Sequence, residues 1–419
     1  MLTKLKTKIE SFVENQANEE HFIKAFGKLE RIGSIVSANI RGYKQEGSMS
    51  TFHHIYHFCS HIWFIIVVAR SVTLIVSDDP EDSLYLGDFF SSTKGKNFLH
   101  ANIIVYYLLF FSSRAALHIA DSRKPQLSFQ FFNTIKLNGL STARKFLTSK
   151  HEYTWRFYSY IALQFFFIVI PIVAVSLFVL SAIFALENPA LYKSIYHFIW
   201  YFFWILIVTG PLGANIFTLF WSYTHTMTLS NYLFLAFTSV DHIGARILKK
   251  MDSGQTANNL DLIREFIRRQ NSLLNLLKAI NSDAAPTMWT GYLISCFLAD
   301  FNLFLGLFID GGSPVMNIIC FALACTAFSN LLLLHLSGIA INNTIAEIRE
   351  KNFSIQARGV KVLPESIALW INSTQERFEN GETGFSCCHI FILTQSSFLF
   401  SVLENSGILM MFVANFKKS

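Results

Sequence analysis

The chain has 419 residues, 52% of them hydrophobic and only 15% charged, with 43 phenylalanines; a typical soluble domain carries roughly 25% charged residues, so a water-soluble fold of this size could not cover that much apolar surface. The formal charge of +6 is modest, and the basic residues are scattered between apolar blocks with no basic, aromatic-interleaved surface, so nucleic acid is not an expected partner. What remains is a partner of the lipid bilayer, an integral membrane protein whose apolar blocks reach the roughly 17–25 residues that a spanning helix needs.

Residues 1–53 read as a cytoplasmic N-terminal helical region. Leu5, Ile9, Phe12 and Val13, then Phe22, Ile23 and Phe26, recur at helical spacing. No apolar run lies within the first thirty residues, so the first span is expected to act as its own uncleaved insertion signal. The spacing predicts an all-α polytopic membrane protein with seven transmembrane helices at 54–76, 98–120, 158–186, 195–222, 288–310, 314–341 and 388–416. Helices one to four thus occupy 54–222, helices five and six 288–341, and the seventh 388–416. Glu187–Ser194, with Pro189, separates the third from the fourth; Gly311, Gly312 and Ser313 form a tight turn between the fifth and sixth. Gly210, Pro211 and Gly213 are expected to bend the fourth helix.

Two longer segments remain. Residues 223–287 continue the fourth span and then form an amphipathic cytoplasmic helix, with Leu262, Ile263, Phe266, Ile267, Leu273, Leu274, Leu277 and Ile280 on one face. Residues 342–387 form a second cytoplasmic loop and helix, with Ile367, Trp370, Ile371 and Phe378 at helical spacing after Pro364. The six cysteines, Cys59, Cys296, Cys320, Cys325, Cys387 and Cys388, lie in or at the edges of spans, so no structural disulfide is expected.

Lys and Arg sort by side. Segments 1–53, 121–157 and 223–287 hold eight, seven and seven of them, whereas 77–97, 187–194 and 311–313 hold two, one and none. By the positive-inside rule the N-terminus is cytoplasmic, and seven spans leave the C-terminus extracellular. The sequons at Asn342, Asn352 and Asn372 then fall inside, where they stay unglycosylated.

Seven helices in this orientation resemble the arthropod gustatory and odorant receptor superfamily. A narrower likeness lies at the C-terminal end. The stretch Phe385-Ser386-Cys387-Cys388-His389-Ile390-Phe391-Ile392-Leu393 is similar to the small-residue approach to that family's final helix. The gustatory pattern then runs Thr-Tyr, five apolar residues, Gln-Phe; here Ile408 and Leu409 replace Thr-Tyr, Asn415 replaces Gln, and Phe416 matches. The resemblance implies a chemosensory, gustatory-type receptor at the plasma membrane, acting as a ligand-gated non-selective cation channel without a cofactor. It implies a small-molecule tastant as ligand and a homo- or heterotetramer of related chains around a pore lined by the last helix. The segments 223–287 and 342–387 would form an anchor region, and the ligand would enter from the outer side among the second to sixth helices.

Ionisable residues inside spans are costly and face protein or water. Glu404, followed by Asn405, is the first pore candidate, because a ring of carboxylates favours cations. Beyond it Ile408, Leu409, Phe412, Asn415 and Phe416 would form an apolar gate that closes by dewetting. Asp300 and Asn302 in the fifth span, Asn330 and His335 in the sixth, Gln164 among Phe165–Phe167, and Trp200 and Trp204 in the fourth are the pocket candidates. For each, ordinary interhelical packing is the competing reading. Arg70 and Arg114 are expected to snorkel from span ends. His54, His57 and His61 share a helical face, but no acidic or cysteine partner is placed for a metal. No Walker, HExxH or hydrolase motif is present, so no enzyme is expected. A metabotropic seven-helix receptor requires the opposite orientation, and a transporter requires paired half-repeats that are not visible.

Overall fold

The computed structural model describes residues 2–15, 17–46, 51–91, 95–123, 126–186, 189–253, 260–308, 314–359, 363–379, 384–387 and 391–416. The chain is nearly all helical. Two N-terminal helices, α1 (Leu2–Asn15) and α2 (Glu19–Ile35), precede the long helix α3 (Thr51–Val76). The short α4 (Pro80–Tyr85) leads to α5 (Lys96–Arg123), followed by α6 (Leu127–Asn138), α7 (Ser141–Arg144) and α8 (Ser149–Leu186). After one 3-10 turn (Pro189–Lys193) come α9 (Ile195–Asp252), α10 (Leu260–Phe308), α11 (Pro314–Gly359) and α12 (Glu365–Glu379). A minimal hairpin, β1 (Ser386–Cys387) antiparallel to β2 (Phe391–Ile392), opens onto the last helix, α13 (Gln395–Phe416).

Among the described residues six helices, α3, α5, α8, α9, α10 and α11, are long and apolar enough to cross a membrane. Their environments differ. Only 12% of the most apolar window of α8 is buried, against 56% for α10. Helix α10 is therefore the inner member of the bundle and α8 presents its apolar side outward.

The starts of the helices follow local chemistry. Asn18 caps α2 by accepting from the N–H of His21 (2.8 Å), Asp79 caps α4 by accepting from Glu81 N–H (2.9 Å), and Ser194 caps α9 through His197 N–H (3.2 Å). Helix α6 stops at Gly139, whose φ of +66° suits a residue without Cβ.

Two apolar cores sit toward opposite ends of the long helices. The larger joins α2, α6 and α8 to α9, α10, α11 and α12, around Trp155, Trp221, Tyr232 and Phe266. Indole donors stitch it: Trp155 Nε1 to the carbonyl of Thr228 (3.0 Å) and Trp221 Nε1 to that of Leu29 (2.8 Å). Here α10 buries Ile263, Phe266, Ile267, Leu273, Leu274, Leu277 and Ile280, with Leu262 partly covered. The side-chain amides of Gln270 and Asn352 pair reciprocally (3.3 and 2.8 Å), and Lys351 binds Asp241. The smaller core gathers Val67, Phe89, Tyr107, Tyr201, Trp204 and Phe304.

Several boundaries differ from the sequence reading. The expected continuation of the fourth span runs unbroken to Asp252, but the amphipathic helix is one rod with the fifth span, from Leu260 to Phe308. The last helix begins at Gln395 rather than 388, because the preceding backbone is occupied in the hairpin. There Asn342 Nδ2 donates to the carbonyls of Phe385 (3.2 Å) and Leu393 (2.7 Å), and its Oδ1 accepts from Phe385 N–H (2.6 Å). The expected turn at Gly311, Gly312 and Ser313, and Cys388, His389 and Ile390 of the C-terminal likeness, lie outside the described residues. Helix α9 continues through Pro211, which deprives the carbonyl of Ile207 of its helical partner. Trp63 Nε1 of α3 supplies the missing donor at 2.8 Å, and the Tyr107 hydroxyl of α5 binds the neighbouring carbonyl of Val208.

Arg70 and Arg114 do not snorkel; they are 2% and 4% exposed. Each is held by oxygen acceptors and an aromatic face, which replace water. Arg70 donates to the carbonyls of Leu86 (2.7 Å) and Gly87 (2.6 Å) and lies over Phe89 at 4.6 Å. Arg114 donates to Asn215 Oδ1 (3.1 Å) and the Val36 carbonyl (3.2 Å), and lies over Tyr56 at 4.4 Å.

Candidate functional site

The first constellation is a polar seam where α13 meets α10 and α11. The hydroxyls of Tyr292 and Ser401 are 2.6 Å apart, and Ser401 Oγ is 3.3 Å from His335 Nε2. One turn on, Asn405 Nδ2 donates to the Ser401 carbonyl (2.6 Å) and points at Cys296 Sγ (3.8 Å). His335 is fully buried, its ring between those of Tyr292 and Phe398. The seam borders a cavity of about 250 Å³ that also meets Phe328, Ser329 and Leu332. Among the described residues His335 Nδ1 and Asn405 Oδ1 have no partner, and both atoms are buried in the seam rather than open to the cavity.

The second constellation joins α10 to α5. Asn302 is fully buried and donates to Tyr106 Oη (2.9 Å) and the Leu298 carbonyl (2.8 Å), while Asn102 Nδ2 approaches its Oδ1 at 3.5 Å. Asp300, 1% exposed, keeps one carboxylate oxygen without a partner among the described residues. A carboxyl in that setting is held only if a proton, a cation or a ligand donor completes it.

The third lies at the bundle end farthest from α1 and α2. Trp200 and Trp204 both direct Nε1 to the carbonyl of Tyr85, the latter at 3.0 Å. Gly87, at φ +60°, is wedged against Trp204, where a Cβ would come within 2.8 Å of the ring. Beside it Asp88, fully buried, accepts from Phe90 N–H (2.9 Å), His100 Nε2 (2.9 Å) and Ser83 Oγ (3.2 Å), with Lys96 Nζ at 3.7 Å. Burial pushes the Asp88 carboxyl up, but the bonds from His100 and Phe90 and the Lys96 charge outweigh it, leaving it below the ordinary value. This network closes the bundle end as a fixed cap, and the two tryptophans belong to it.

The remaining candidates separate. On α13, Glu404 is exposed together with Leu399, Phe400, Leu403, Met410 and Met411, whereas Asn405 points inward and Leu409 packs against the smaller core. Ile408 is half-buried. The side chains of Phe412, Asn415 and Phe416 lie outside what the structure describes. Gln164 is half-buried on α8, and Asn330 of α11 lines a groove shared with α8 and α9. His57 of α3 stacks on His118 of α5 at 3.7 Å between ring centroids. Among the described residues no group of three His, Cys, Asp or Glu side chains is placed to hold a metal ion.

Sequence reasoning missed Tyr106, Tyr292, Ser401, Asp88 and His100. Ser401 and Asn405 stand four apart on the last helix, a signal that could have been read; the tyrosines become polar partners only once α5 and α10 are packed.

The architecture is that of a helical bundle with six helices long and apolar enough to cross a membrane among the described residues, its central helices running on into a second helical layer. It matches the solved structure of the insect olfactory receptor OR5 from Machilis hrabei with a TM-score of 0.57 and 11% identity, covering 96% of this chain and all of that one. The same receptor in complex with eugenol matches with a TM-score of 0.52 and 13% identity, covering 94% and 99%. At these identities the likeness is one of fold. No protein-family model matches the chain. No curated protein matches it.

Proposed function

We propose that this protein is a chemosensory receptor of gustatory type that opens a cation pore when it binds a small, largely apolar molecule. In this reading α13 is the seventh span, the N-terminus is cytoplasmic, the C-terminus is extracellular, and four chains surround a common pore. The layer built from the extensions of α9, α10 and α11 with α12 anchors the subunits.

The observation that carries the reading is the exposed face of α13. That face holds Leu399, Phe400, Leu403 and Met410 with a single carboxylate, Glu404, in their midst. An isolated charge on an apolar face is expensive against lipid, and a water-filled axis shared with other copies removes that cost. The carboxylates would then form a ring that concentrates cations. The full-length fold likeness to an insect olfactory receptor supports the same assignment. Gating follows from the seam: the Tyr292–Ser401–His335 contacts tie α13 to α10 and α11, so a ligand that favours one arrangement of those helices shifts the population of open pores.

Patch recording from cells expressing only this chain, screened with a panel of small molecules, is the direct test. Glu404→Gln is expected to change unitary conductance or cation preference while leaving ligand potency nearly intact; unchanged permeation would remove Glu404 from the pore wall. Asp300→Asn is expected to shift ligand potency and leave unitary conductance alone. The reverse pattern would take Asp300 out of the pocket. Glycosylation at Asn352 or Asn372 in cells would reverse the orientation and end the channel reading; Asn352 is 1% exposed and bonded to Gln270.

A further inference from the structure

Helix α2 climbs beside the apolar helices rather than staying below them. Its first turn is tied to the polar start of α8, since Glu19 binds Arg144, which also holds Glu152. Farther along, the Leu29 carbonyl accepts from Trp221 Nε1 (2.8 Å). Just past the end of α2, the Val36 carbonyl accepts from Arg114 of α5 (3.2 Å) and Thr218 of α9 (3.4 Å). The side of α2 turned away from the bundle reads Lys24, Lys28, Arg31 and Ile35, all four exposed and recurring at helical spacing. Lys28 Nζ lies 4.3 Å from the ring centre of Phe167, well inside the apolar run of α8. The acids of α2 do not neutralise the stripe: Glu19 is engaged as above, and Glu30 binds Lys136 and the N–H of Tyr43 (2.7 Å). Glu20, exposed one turn before Lys24, makes no ion pair with it.

We propose that the outer stripe of α2 seats the head group of an anionic phospholipid, with the acyl chains running on past Ile35 along α8. Two observations say what covers this face. The first is charge: Lys24, Lys28 and Arg31 stand on consecutive turns, exposed, with no carboxylate paired to them among the described residues. Cations beside a bilayer surface are drawn to anionic lipid, about 1 kcal/mol for each. The second is order. The stripe is cationic over the part of α2 nearer the polar start of α8 and becomes apolar at Ile35, which is 67% exposed. A phospholipid has the same sequence of chemistry, phosphate first and hydrocarbon after, whereas a soluble anion has nothing to offer Ile35. From Lys24 to Arg31 the stripe rises about 10 Å, comparable with the roughly 5–8 Å head-group zone of one leaflet. Beside it α8 exposes Ile161, Phe165, Ile168 and Ile172, a wall for the chains. Lys28 shows the junction directly, because its ammonium rests on the ring of Phe167. That the lipid belongs to the inner leaflet rests on the cytoplasmic N-terminus proposed above; the seat itself does not.

The test records no current, and nanodiscs offer both leaflets the same lipid, so its failure would leave the channel reading and the orientation untouched. Full-length protein in phosphatidylcholine nanodiscs is irradiated with phosphatidylserine that carries a photoreactive group in one acyl chain, and the adducts are mapped by mass spectrometry. The expected result is adducts concentrated in 32–36 and 161–172, displaced by plain phosphatidylserine but not by phosphatidylcholine. Replacing Lys24, Lys28 and Arg31 together by Gln is expected to cut that labelling about tenfold or more. Lys24→Arg with Lys28→Arg, which keeps the charge, is expected to retain it. The same loss of charge at Arg246, Lys249 and Arg268, exposed cations of the second helical layer, is expected to leave it unchanged. Equal labelling by a photoreactive phosphatidylcholine would overturn the proposal. So would labelling that survives removal of the three cations, or displacement by soluble glycerophosphoserine as effective as that by the lipid, which would mark a site for the free anion.

Discussion

Individual side chains here settle backbone debts that membrane helices cannot leave to water. Pro211 frees the carbonyl of Ile207, and Trp63 meets it at 2.8 Å, with Tyr107 on the carbonyl next along. An unmet carbonyl in apolar surroundings costs about 1–3 kcal/mol, and interhelical bonds in lipid average about 0.6. Trp63→Phe and Tyr107→Phe are each expected to lower stability by about 1 kcal/mol, and the pair together by more than the sum, because both hold α3 and α5 to the same weakened turn. Thermal unfolding of the detergent-solubilised protein reads this directly; strict additivity would mean the two donors act independently. Asn342 does similar work with one side chain. Its amide makes three bonds to Phe385 and Leu393, which also bond to each other at 3.1 Å. Asn342→Ala is expected to cost about 1–3 kcal/mol and to speed hydrogen exchange in 384–387 and 391–393. Unaltered exchange there would show that the hairpin stands without it. A proline in an apolar run is visible in a sequence. Which indole crosses to serve it is not, because Trp63 and Ile207 are 144 positions apart.

One acidic residue contributes a pH-sensitive part of the docking of the N-terminal helices onto the bundle. Glu19, in the first turn of α2, accepts from Leu140 N–H (2.7 Å) just after the Gly139 turn, and from Arg144 (2.9 Å). Arg144 in turn binds both oxygens of Glu152 on α8, at 2.9 and 3.0 Å. The backbone bond from Leu140 is the chief cause that holds the Glu19 carboxyl below its ordinary value of 4.5, aided by the charge of Arg144. A depressed carboxyl adds stability above the unfolded value, and that contribution disappears as pH falls through the lower folded value. Protection of the α2 amides, corrected for the intrinsic exchange rate at each pH, is therefore expected to fall as pH drops from about 5 toward 3, and Glu19→Gln should flatten that dependence. A profile in the variant identical to the original would place the acid sensitivity elsewhere. Helical spacing of Phe22, Ile23 and Phe26 was legible as one face. Docking through Glu19 was not, since its partners lie more than a hundred residues downstream.

At the scale of the whole molecule, apolar length and period carry most of what could be read in advance. Six of the seven expected spans coincide with helices apolar enough to cross a bilayer, and the amphipathic face of 262–280 is buried where its pattern places it. What escaped is continuity and polarity. The run of α9 past 222 was legible, but nothing in hydropathy tells that α10 and α11 also leave the apolar zone without a break. Nor does composition separate a snorkelling arginine from one clamped by carbonyls, as Arg70 is. The candidate site was legible in its residue types but not in its grouping: His335 and Asn405 meet along one seam, while Trp200 and Trp204 serve as mortar for a cap.

The uninterrupted α9 has a mechanical meaning. With 58 residues and a rise of about 1.5 Å each, it is a girder of about 87 Å, nearly three times the roughly 30 Å hydrocarbon slab. Pivoted near one end, a lean of about 5° swings the other by about 8 Å along such a girder. Any lean beside Trp204 would therefore be magnified at Asp241 and Ile247, because a single helix joins the two ends of the molecule.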